Sequence, residues 1–232
     1  MKPRTAGALT ARVSEIFASI QGEGLVIGKP CVFVRFARCN LACPLCDTKY
    51  SWSGGKEMHV DELKREVESH GLKAITYTGG EPLLQPEVLE ELARAMRAGG
   101  YYQIVETNAS IVSWNVERLA GLIDAWSLSP KLPSMNPAYR LEWYRRLLDR
   151  LVQYASPRAL IYVKFVVGEL SELDMVMREY DSYISRHLDE DRVVLQPLDG
   201  SGITYNMLAG EVLRRKMGFR VLPQLHKLVG LK

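Results

Sequence analysis

The sequence predicts an α/β fold in which parallel strands and outer helices form a partial, open barrel of the (β/α)6 type. Strand-like and helix-like patterns alternate along the chain, which is typical of parallel strands joined by helical crossovers. The 232 residues hold around six such units, too few for a closed eight-stranded barrel. No repeat or long linker interrupts them. We therefore expect one domain, residues 1–232, with short N- and C-terminal extensions.

The first two predicted strands each lead into a distinctive loop. Residues 13–21 form the first strand, which ends in the turn Gln21-Gly22-Glu23-Gly24. Residues 31–37 alternate and are rich in Val and Phe, as expected for a strand, and they run directly into a group of cysteines. Both loops therefore lie at strand ends, where side chains are free to meet a ligand.

The remaining elements continue the alternation. Helix 61–69 begins with Asp61, an acidic residue suited to a helix N-terminus. Helix 86–98 has apolar residues at helical spacing and ends at Gly99 and Gly100. The other predicted strands are residues 74–78, 102–107, 125–129, 160–167, 192–196 and 220–222. The other predicted helices are residues 116–122, 141–153, 172–180 and 205–217.

Composition excludes several classes of protein. The net charge of +3 (30 basic minus 27 acidic residues) is too small to indicate direct nucleic-acid binding. The sequence has no run of 18 apolar residues that would span a membrane, and residues 1–12 lack the apolar core of a signal peptide. Four cysteines, three of them clustered, do not form a disulfide framework in a chain of this length. We expect a cytoplasmic protein with no membrane partner.

Cys39, Cys43 and Cys46 lie within eight residues and form the first motif. Three thiolates can each bind one iron of a cubane cluster and leave the fourth iron open to a ligand with an amine and a carboxylate. Structural iron–sulfur and zinc sites normally use four protein ligands. Two alternatives stay open: a zinc knuckle with Cys31 as the fourth ligand, and an electron carrier without enzymatic activity. Cys31 starts an apolar strand, so we expect it in the core.

The second motif, Thr78-Gly79-Gly80-Glu81-Pro82, follows a predicted strand. It can be an ordinary strand-to-helix turn, with glycines for positive φ and a proline that begins the helix. Alternatively, the glycines let the backbone approach a ligand, and Glu81 accepts hydrogen bonds from an ammonium group.

These two motifs together resemble the radical S-adenosylmethionine superfamily, in cysteine spacing and in the glycine motif one strand later. Within it, residues 14–24 resemble the start of the 7-carboxy-7-deazaguanine synthases. Further matches follow in order over nearly the whole chain: Phe33-Val34-Arg35, Asp47-Thr48-Lys49-Tyr50, Glu106-Thr107-Asn108, Ser129-Pro130-Lys131, Gln196-Pro197-Leu198-Asp199 and Leu222-Pro223-Gln224-Leu225-His226-Lys227.

The resemblance implies a radical reaction on a pterin. Cys39, Cys43 and Cys46 would hold a 4Fe–4S cluster, S-adenosylmethionine would chelate its open iron, and the Thr48 hydroxyl would bind magnesium. The 5′-deoxyadenosyl radical would take a hydrogen from carbon 6 of 6-carboxy-5,6,7,8-tetrahydropterin, and the products would be 7-carboxy-7-deazaguanine and ammonia. The cluster and the cofactor would carry the radical chemistry, so no side chain is assigned as catalytic.

The resemblance also implies contact residues and partners. Substrate contacts would come from Ile20, Gln21, Gly22, Glu23, Arg35 and Thr78. Cofactor contacts would come from Leu45, Cys46, Asp47, Gly79, Gly80, Glu81, Glu106, Asn108, Ser129, Pro130, Lys131, Gln196, Pro197, Leu198 and Asp199. We expect a flavodoxin-like or ferredoxin-like reductant, a homodimer, and a product used for queuosine or archaeosine. Arg35 alternates with Val34 and Phe36, which favours a side chain that points into the barrel.

Two positions depart from the family pattern: Arg38 and Ala109 replace glycines. We expect the loops to adjust so that neither residue needs a positive φ. For His226, in the C-terminal match, we expect a structural role. The alternative function is a glycyl-radical-type activase, which would share the cysteines and the glycine turn and act on a protein partner.

Overall fold

The computed structural model describes residues 9–232, and nine strands within this range form one sheet. The strands are β1 (Thr10–Ile20), β2 (Pro30–Phe36), β3 (Lys56–His59), β4 (Ala74–Gly79), β5 (Tyr102–Thr107), β6 (Ala125–Leu128), β7 (Leu160–Val167), β8 (Val193–Pro197) and β9 (Arg220–Val221). The helices are α1 (Val60–Ser69), α2 (Pro86–Ala98), α3 (Val116–Ala120), α4 (Leu141–Tyr154), α5 (Glu172–Ser182), α6 (Tyr205–Arg214) and α7 (Leu225–Leu228). The predicted N-terminal extension includes residues 1–8, which lie outside the described range.

The sheet confirms the predicted partial barrel. Its strand order is β3-β1-β2-β4-β5-β6-β7-β8-β9, and the strands from β2 to β9, apart from β3, run parallel. Helices α1 to α6 lie in the successive crossovers between these parallel strands. Within the described range β3 and β9 are the two edges of the sheet, so the barrel stays open. No helix in this part of the chain is long and apolar enough to cross a membrane.

Three local predictions were wrong or incomplete. Strand β1 pairs antiparallel with β2, because a short glycine turn joins them instead of a helix. The edge strand β3, which pairs with β1, was not predicted: only Met58 of its four residues is buried, so it has little apolar periodicity. Helix α6 ends at Arg214 because Lys216 has a positive φ of 56°.

The two faces of the parallel strands differ in chemistry. Apolar side chains on the outer face pack under helices such as α2, whose Val88, Leu89, Leu92, Ala93 and Met96 are buried. The inner face carries polar groups. Arg35 of β2 pairs in register with Thr78 of β4, and Glu106 of β5 with Ser127 of β6. Polar residues in one row across the sheet indicate an interior built to hold a polar ligand.

Candidate active site

A cavity of about 250 Å³ opens at the C-terminal ends of the parallel strands. The three cysteines of the first motif line it, together with the predicted substrate residues Ile20, Gln21, Gly22, Glu23, Arg35 and Thr78. Most of the predicted cofactor and metal residues line it as well: Leu45, Asp47, Thr48, Gly79, Gly80, Glu106, Asn108, Ser129, Lys131, Gln196, Pro197, Leu198 and Asp199. Motifs that are far apart in the sequence therefore surround one space.

Each cysteine thiol has a polar neighbour. The Leu41 backbone N–H lies 3.4 Å from Cys39 Sγ, and Asn108 Nδ2 lies 3.8 Å from the same sulfur. Asn136 Nδ2, which the sequence did not single out, lies 3.4 Å from Cys43 Sγ. Thr48 Oγ1 lies 3.5 Å from Cys46 Sγ. Donors around thiolate ligands are the environment that tunes an iron–sulfur cluster.

The donor set fits a cluster better than a single ion. Among residues 9–232, no group of three or more His, Cys, Asp and Glu side chains is placed to hold one metal ion, and Cys31 does not line the cavity with the three clustered thiols. Cys31 is fully buried, and its Sγ accepts a hydrogen bond from Thr76 Oγ1 at 3.4 Å. This burial confirms the prediction that Cys31 lies in the core. Burial raises the pKa of Cys31 to about 11, which makes it an unreactive thiol.

Gly79 and Gly80 allow β4 to approach the start of the cysteine loop. Gly79 has φ 137°, and a Cβ there would lie 2.1 Å from the Phe36 carbonyl oxygen. A Cβ on Gly80 would lie 2.0 Å from the Arg38 carbonyl oxygen. The backbone N–H of Gly80 donates to Phe36 O at 2.9 Å, and that of Glu81 donates to Arg38 O at 2.8 Å. The glycine turn therefore fixes the base of the loop that carries the thiols.

Glu81 lies beneath the cavity and does not line it. Its carboxylate accepts from the Leu83 N–H at 3.0 Å, from Thr107 Oγ1 at 2.8 Å and from the Asn108 N–H at 2.8 Å. The side chain is fully buried, so its predicted contact with the cofactor finds no exposed oxygen. Pro130 is likewise absent from the described cavity lining.

The expectation that the loops adjust around Arg38 and Ala109 was wrong. Both residues keep a positive φ, 76° for Arg38 and 57° for Ala109. Close packing explains the Arg38 conformation: its N–H donates to Ser51 O at 2.7 Å, and its carbonyl accepts from Glu81. Each residue stores backbone strain of about 1–2 kcal/mol.

Arg35 points into the cavity, and Glu15 holds it there. Arg35 Nε donates to Glu15 Oε1 at 2.8 Å, and its guanidinium lies over the rings of Phe17 and Tyr50. Glu15 also accepts from Tyr50 Oη at 2.8 Å and pairs with Lys232. Burial would raise the pKa of Glu15, but bonds from Lys232, Tyr50 and Arg35 lower it, so the carboxylate is ionised. Glu15 was not among the predicted site residues.

Glu23 and Lys164 form a buried ion pair, and both residues line the cavity. Gln224 Nε2 donates to the second Glu23 oxygen at 2.6 Å. Burial alone would raise the pKa of Glu23, but Lys164 and Gln224 outweigh it and lower the pKa to about 2. Neither partner of Glu23, Lys164 or Gln224, was among the site residues predicted from the sequence. A lysine within the apolar run of β7 was the available signal for Lys164.

Three buried oxygens of cavity-lining residues have no hydrogen-bond partner among the described residues: Glu106 Oε1, Ser127 Oγ and Gln196 Oε1. Burial raises the pKa of Glu106. Unpartnered acceptors in a buried site are costly unless a ligand satisfies them. The cavity is therefore suited to a ligand that carries several N–H donors.

The C-terminal segment covers part of the cavity. The Leu225 N–H donates to Gly22 O at 2.8 Å, and His226 packs so closely on Gly22 that a Cβ there would lie 1.9 Å from Nδ1. Burial lowers the pKa of His226, so its imidazole is neutral near pH 7. Lys227 Nζ lies 2.8 Å from Asp199 Oδ2 and 3.8 Å from Asp47 Oδ2. This segment therefore joins the turn after β1 to loops on the cofactor side.

Comparison with known proteins places this geometry in context. Residues 33–168 match the family model described as the Radical SAM superfamily. The chain is 36% identical over 231 residues to a 7-carboxy-7-deazaguanine synthase of Pyrobaculum aerophilum, covering 93% of this chain and 92% of that protein. It is 40% identical over 226 residues to a 7-carboxy-7-deazaguanine synthase of Haemophilus influenzae, covering 95% and 93%. The crystal structure of QueE from Escherichia coli superposes with a TM-score of 0.68 at 20% identity, covering 94% of this chain and 95% of that one.

Proposed function

The chain belongs to the 7-carboxy-7-deazaguanine synthases of the radical S-adenosylmethionine superfamily, and from this membership we propose that it converts 6-carboxy-5,6,7,8-tetrahydropterin to 7-carboxy-7-deazaguanine with loss of ammonia. The observation that carries the proposal is the single cavity of about 250 Å³. The three thiols and the Glu23, Arg35 and Thr78 side chains all line it. The protein is thus a radical S-adenosylmethionine lyase, and the comparisons favour it over the activase alternative.

The polar groups of the cavity suit the two ends of the substrate. A pterin edge carries an amino group and a ring N–H, and Glu23 and Gln21 offer acceptors for them. At the other end, Arg35 presents a planar guanidinium to the substrate carboxylate. Thr78 lies beside Arg35 in register and adds a hydroxyl. These residues bind and orient the substrate so that its carbon 6 faces the cysteine loop.

Membership of the superfamily implies a 4Fe–4S cluster and S-adenosylmethionine as cofactors. Cys39, Cys43 and Cys46 would hold the cluster, and Asn108, Asn136 and Thr48 lie against their sulfurs. When bound, the cluster and S-adenosylmethionine supply the one-electron chemistry that removes the hydrogen from carbon 6. Gly79, Gly80 and the loop ends at Ser129, Lys131 and Gln196 to Asp199 line the space proposed for the cofactor.

Magnesium is a further part of the proposal, with Thr48 as its protein ligand. Thr48 Oγ1 lies in the cavity wall, 3.5 Å from Cys46 Sγ. One neutral hydroxyl binds magnesium only weakly, so substrate oxygens and waters would complete the octahedral site. The ion would then bind together with substrate and help to orient its carboxylate.

The flavodoxin-like or ferredoxin-like reductant, the homodimer, the absence of a direct nucleic-acid partner and the use of the product for queuosine or archaeosine also remain proposals. They rest on the family that the chain belongs to and on its small net charge of +3. The cytoplasmic location remains a prediction from the sequence.

An anaerobic assay tests the proposed function. The reconstituted protein should contain roughly four irons per chain and form the deazapurine from carboxytetrahydropterin, S-adenosylmethionine and Mg²⁺. Thr48→Ser should keep the magnesium dependence, and Thr48→Val should lose it while still binding S-adenosylmethionine. Absence of product with an intact, reduced cluster would contradict the substrate assignment, and one bound zinc in place of iron would contradict the whole site.

A further inference from the structure

Lys164 lies on the inner face of β7, and its side chain is only 6% exposed. Its partner Glu23 follows β1, and four strands separate β1 from β7 in the sheet. The ion pair therefore crosses the interior of the open barrel and ties the turn after β1 to the opposite wall. Gly24 strengthens this contact: with φ 65° it packs against Tyr162, where a Cβ would lie 2.3 Å from the hydroxyl oxygen.

The orientation of the Glu23 carboxylate is fully determined by its neighbours. Lys164 binds Oε2, and Gln224 Nε2 donates to Oε1 at 2.6 Å. A carboxylate held by two donors keeps one rotamer and still has lone pairs free for a ligand. Glu23 lines the cavity in this fixed position.

Lys164 keeps Glu23 ionised, because its charge and its hydrogen bond offset the burial that would otherwise raise the Glu23 pKa. Glu106 lies near the pair and interacts electrostatically with both of its members. Glu106 adds to the need for a cation, because a second nearby carboxylate makes it less favourable for both to be ionised. The titratable and charged groups around Glu23, Lys164 and Glu106 come from five parts of the chain: Arg35 of β2, Glu106 of β5, Lys131 after β6, Tyr162 of β7, and His226 and Lys227 of the C-terminal segment.

We propose that Lys164 is a positioning residue that keeps Glu23 an ionised acceptor, and that this carboxylate makes the cavity select a 2-amino pterin over its 2-oxo analogue. The inference rests on the proposed function, in which Glu23 meets the pterin edge. A 2-amino group donates to the carboxylate, whereas a 2-oxo group places a second acceptor against it. Discrimination arises because the 2-oxo group places an acceptor against the Glu23 carboxylate, whose remaining lone pairs then find no donor on the ligand.

Equilibrium binding of two stable fluorescent compounds tests this: pterin-6-carboxylate, with a 2-amino group, and lumazine-6-carboxylate, with a 2-oxo group. We expect the wild-type protein to bind the pterin more tightly by on the order of tenfold or more between pH 6 and 8. In Lys164→Met, the lysine charge no longer offsets the burial of Glu23, so we expect the Glu23 pKa to rise, and the preference should fall to about threefold or less and become pH-dependent. Lys164→Arg keeps the cation and should restore most of the preference.

Two further variants separate this role from a purely structural one. Arg145→Met breaks a different, half-buried ion pair, in which Arg145 Nε donates to Glu179 Oε1 at 2.7 Å outside the cavity. It should lower stability and leave the selectivity unchanged. Glu23→Gln keeps the shape of the carboxylate and removes its charge, so it should lose selectivity even if Lys164→Met does not fold.

The outcomes distinguish the inference from the function on which it rests. If the wild-type protein makes product while Lys164→Met or Glu23→Gln keeps the full, pH-independent preference for the pterin, the role of Lys164 is overturned and the function stands. If the wild-type protein binds neither compound and makes no deazapurine, both are overturned.

Discussion

Glu15 of β1 lies opposite Arg35 of β2, and its carboxylate accepts a hydrogen bond from Arg35 Nε at 2.8 Å, while Arg35 itself lines the cavity. Arg35 makes its hydrogen bonds with the described residues through Nε, which leaves the two terminal amino groups available. Glu15 thus orients a guanidinium for a bidentate partner without occupying the groups that would bind it.

Glu15→Gln tests this orientation. The amide keeps the shape of the side chain but loses the charge that holds Arg35, so we expect the KM for the carboxylated pterin to rise by about tenfold, the equivalent of one charge-assisted hydrogen bond. The affinity for S-adenosylmethionine should not change. Steady-state kinetics and cofactor titration check both. Equal loss of affinity for the two ligands would contradict the prediction, because it would indicate a general disturbance of the fold.

Gly80→Ala should damage the base of the cysteine loop. Its Cβ would lie 2.0 Å from Arg38 O and 2.9 Å from Cys39 N, both backbone atoms that cannot move independently. We expect a loss of about 3 kcal/mol or more in the free energy of unfolding and a lower iron content after reconstitution.

Gly210→Ala is the matched control for that substitution. Gly210 lies in α6 with nothing within 4 Å of the added Cβ, so alanine should stabilise the helix by about 0.5–1 kcal/mol. Denaturant unfolding and iron analysis of the two variants give the comparison. Similar stabilities would show that the crowding at Gly80 is relieved at little cost.

Arg38→Gly should stabilise the protein. Arg38 is exposed and has φ 76°, a conformation that glycine adopts without strain. Relief of that strain, less the extra entropy of glycine in the unfolded chain, gives an expected gain of about 0.5–1 kcal/mol. Arg38→Ala keeps the Cβ and should show no gain, which makes it the control in the same unfolding experiment. Ala109→Gly should gain less than Arg38→Gly, because the Ala109 methyl group is fully buried.

The predictions from the sequence were most accurate for sites whose residues are contiguous in the chain. They were least accurate for sites formed by residues that meet across the barrel. The cysteine spacing and the glycine turn are contiguous, so the motifs indicated the cluster site directly. Asn136 lies 93 residues from the thiol that it contacts, and Gln224 lies 201 residues from Glu23. No local pattern connects such pairs, since the curvature of the open sheet and the loops at its strand ends bring them together. Lys164 gave a visible signal, a charge within an apolar strand, but its partner could not be read from the sequence.

The Glu23–Lys164 pair predicts a pH dependence of stability. In the folded protein the pKa of Glu23 is lowered to about 2, below the value of about 4.3 expected in the unfolded chain. A depressed carboxyl pKa contributes stability that is fully present above the unfolded value and is lost as the pH falls through the folded one. Wild-type protein should therefore exceed Glu23→Gln in free energy of unfolding at pH 5, by at most about 3 kcal/mol, and this difference should shrink toward pH 2.

Lys164 stays protonated throughout this range, because Glu23 and Glu106 outweigh its burial and raise its pKa. Urea unfolding at several pH values between 2 and 5 measures the difference directly. A difference that stays constant over this range would mean that Glu23 contributes through packing alone and not through its charge.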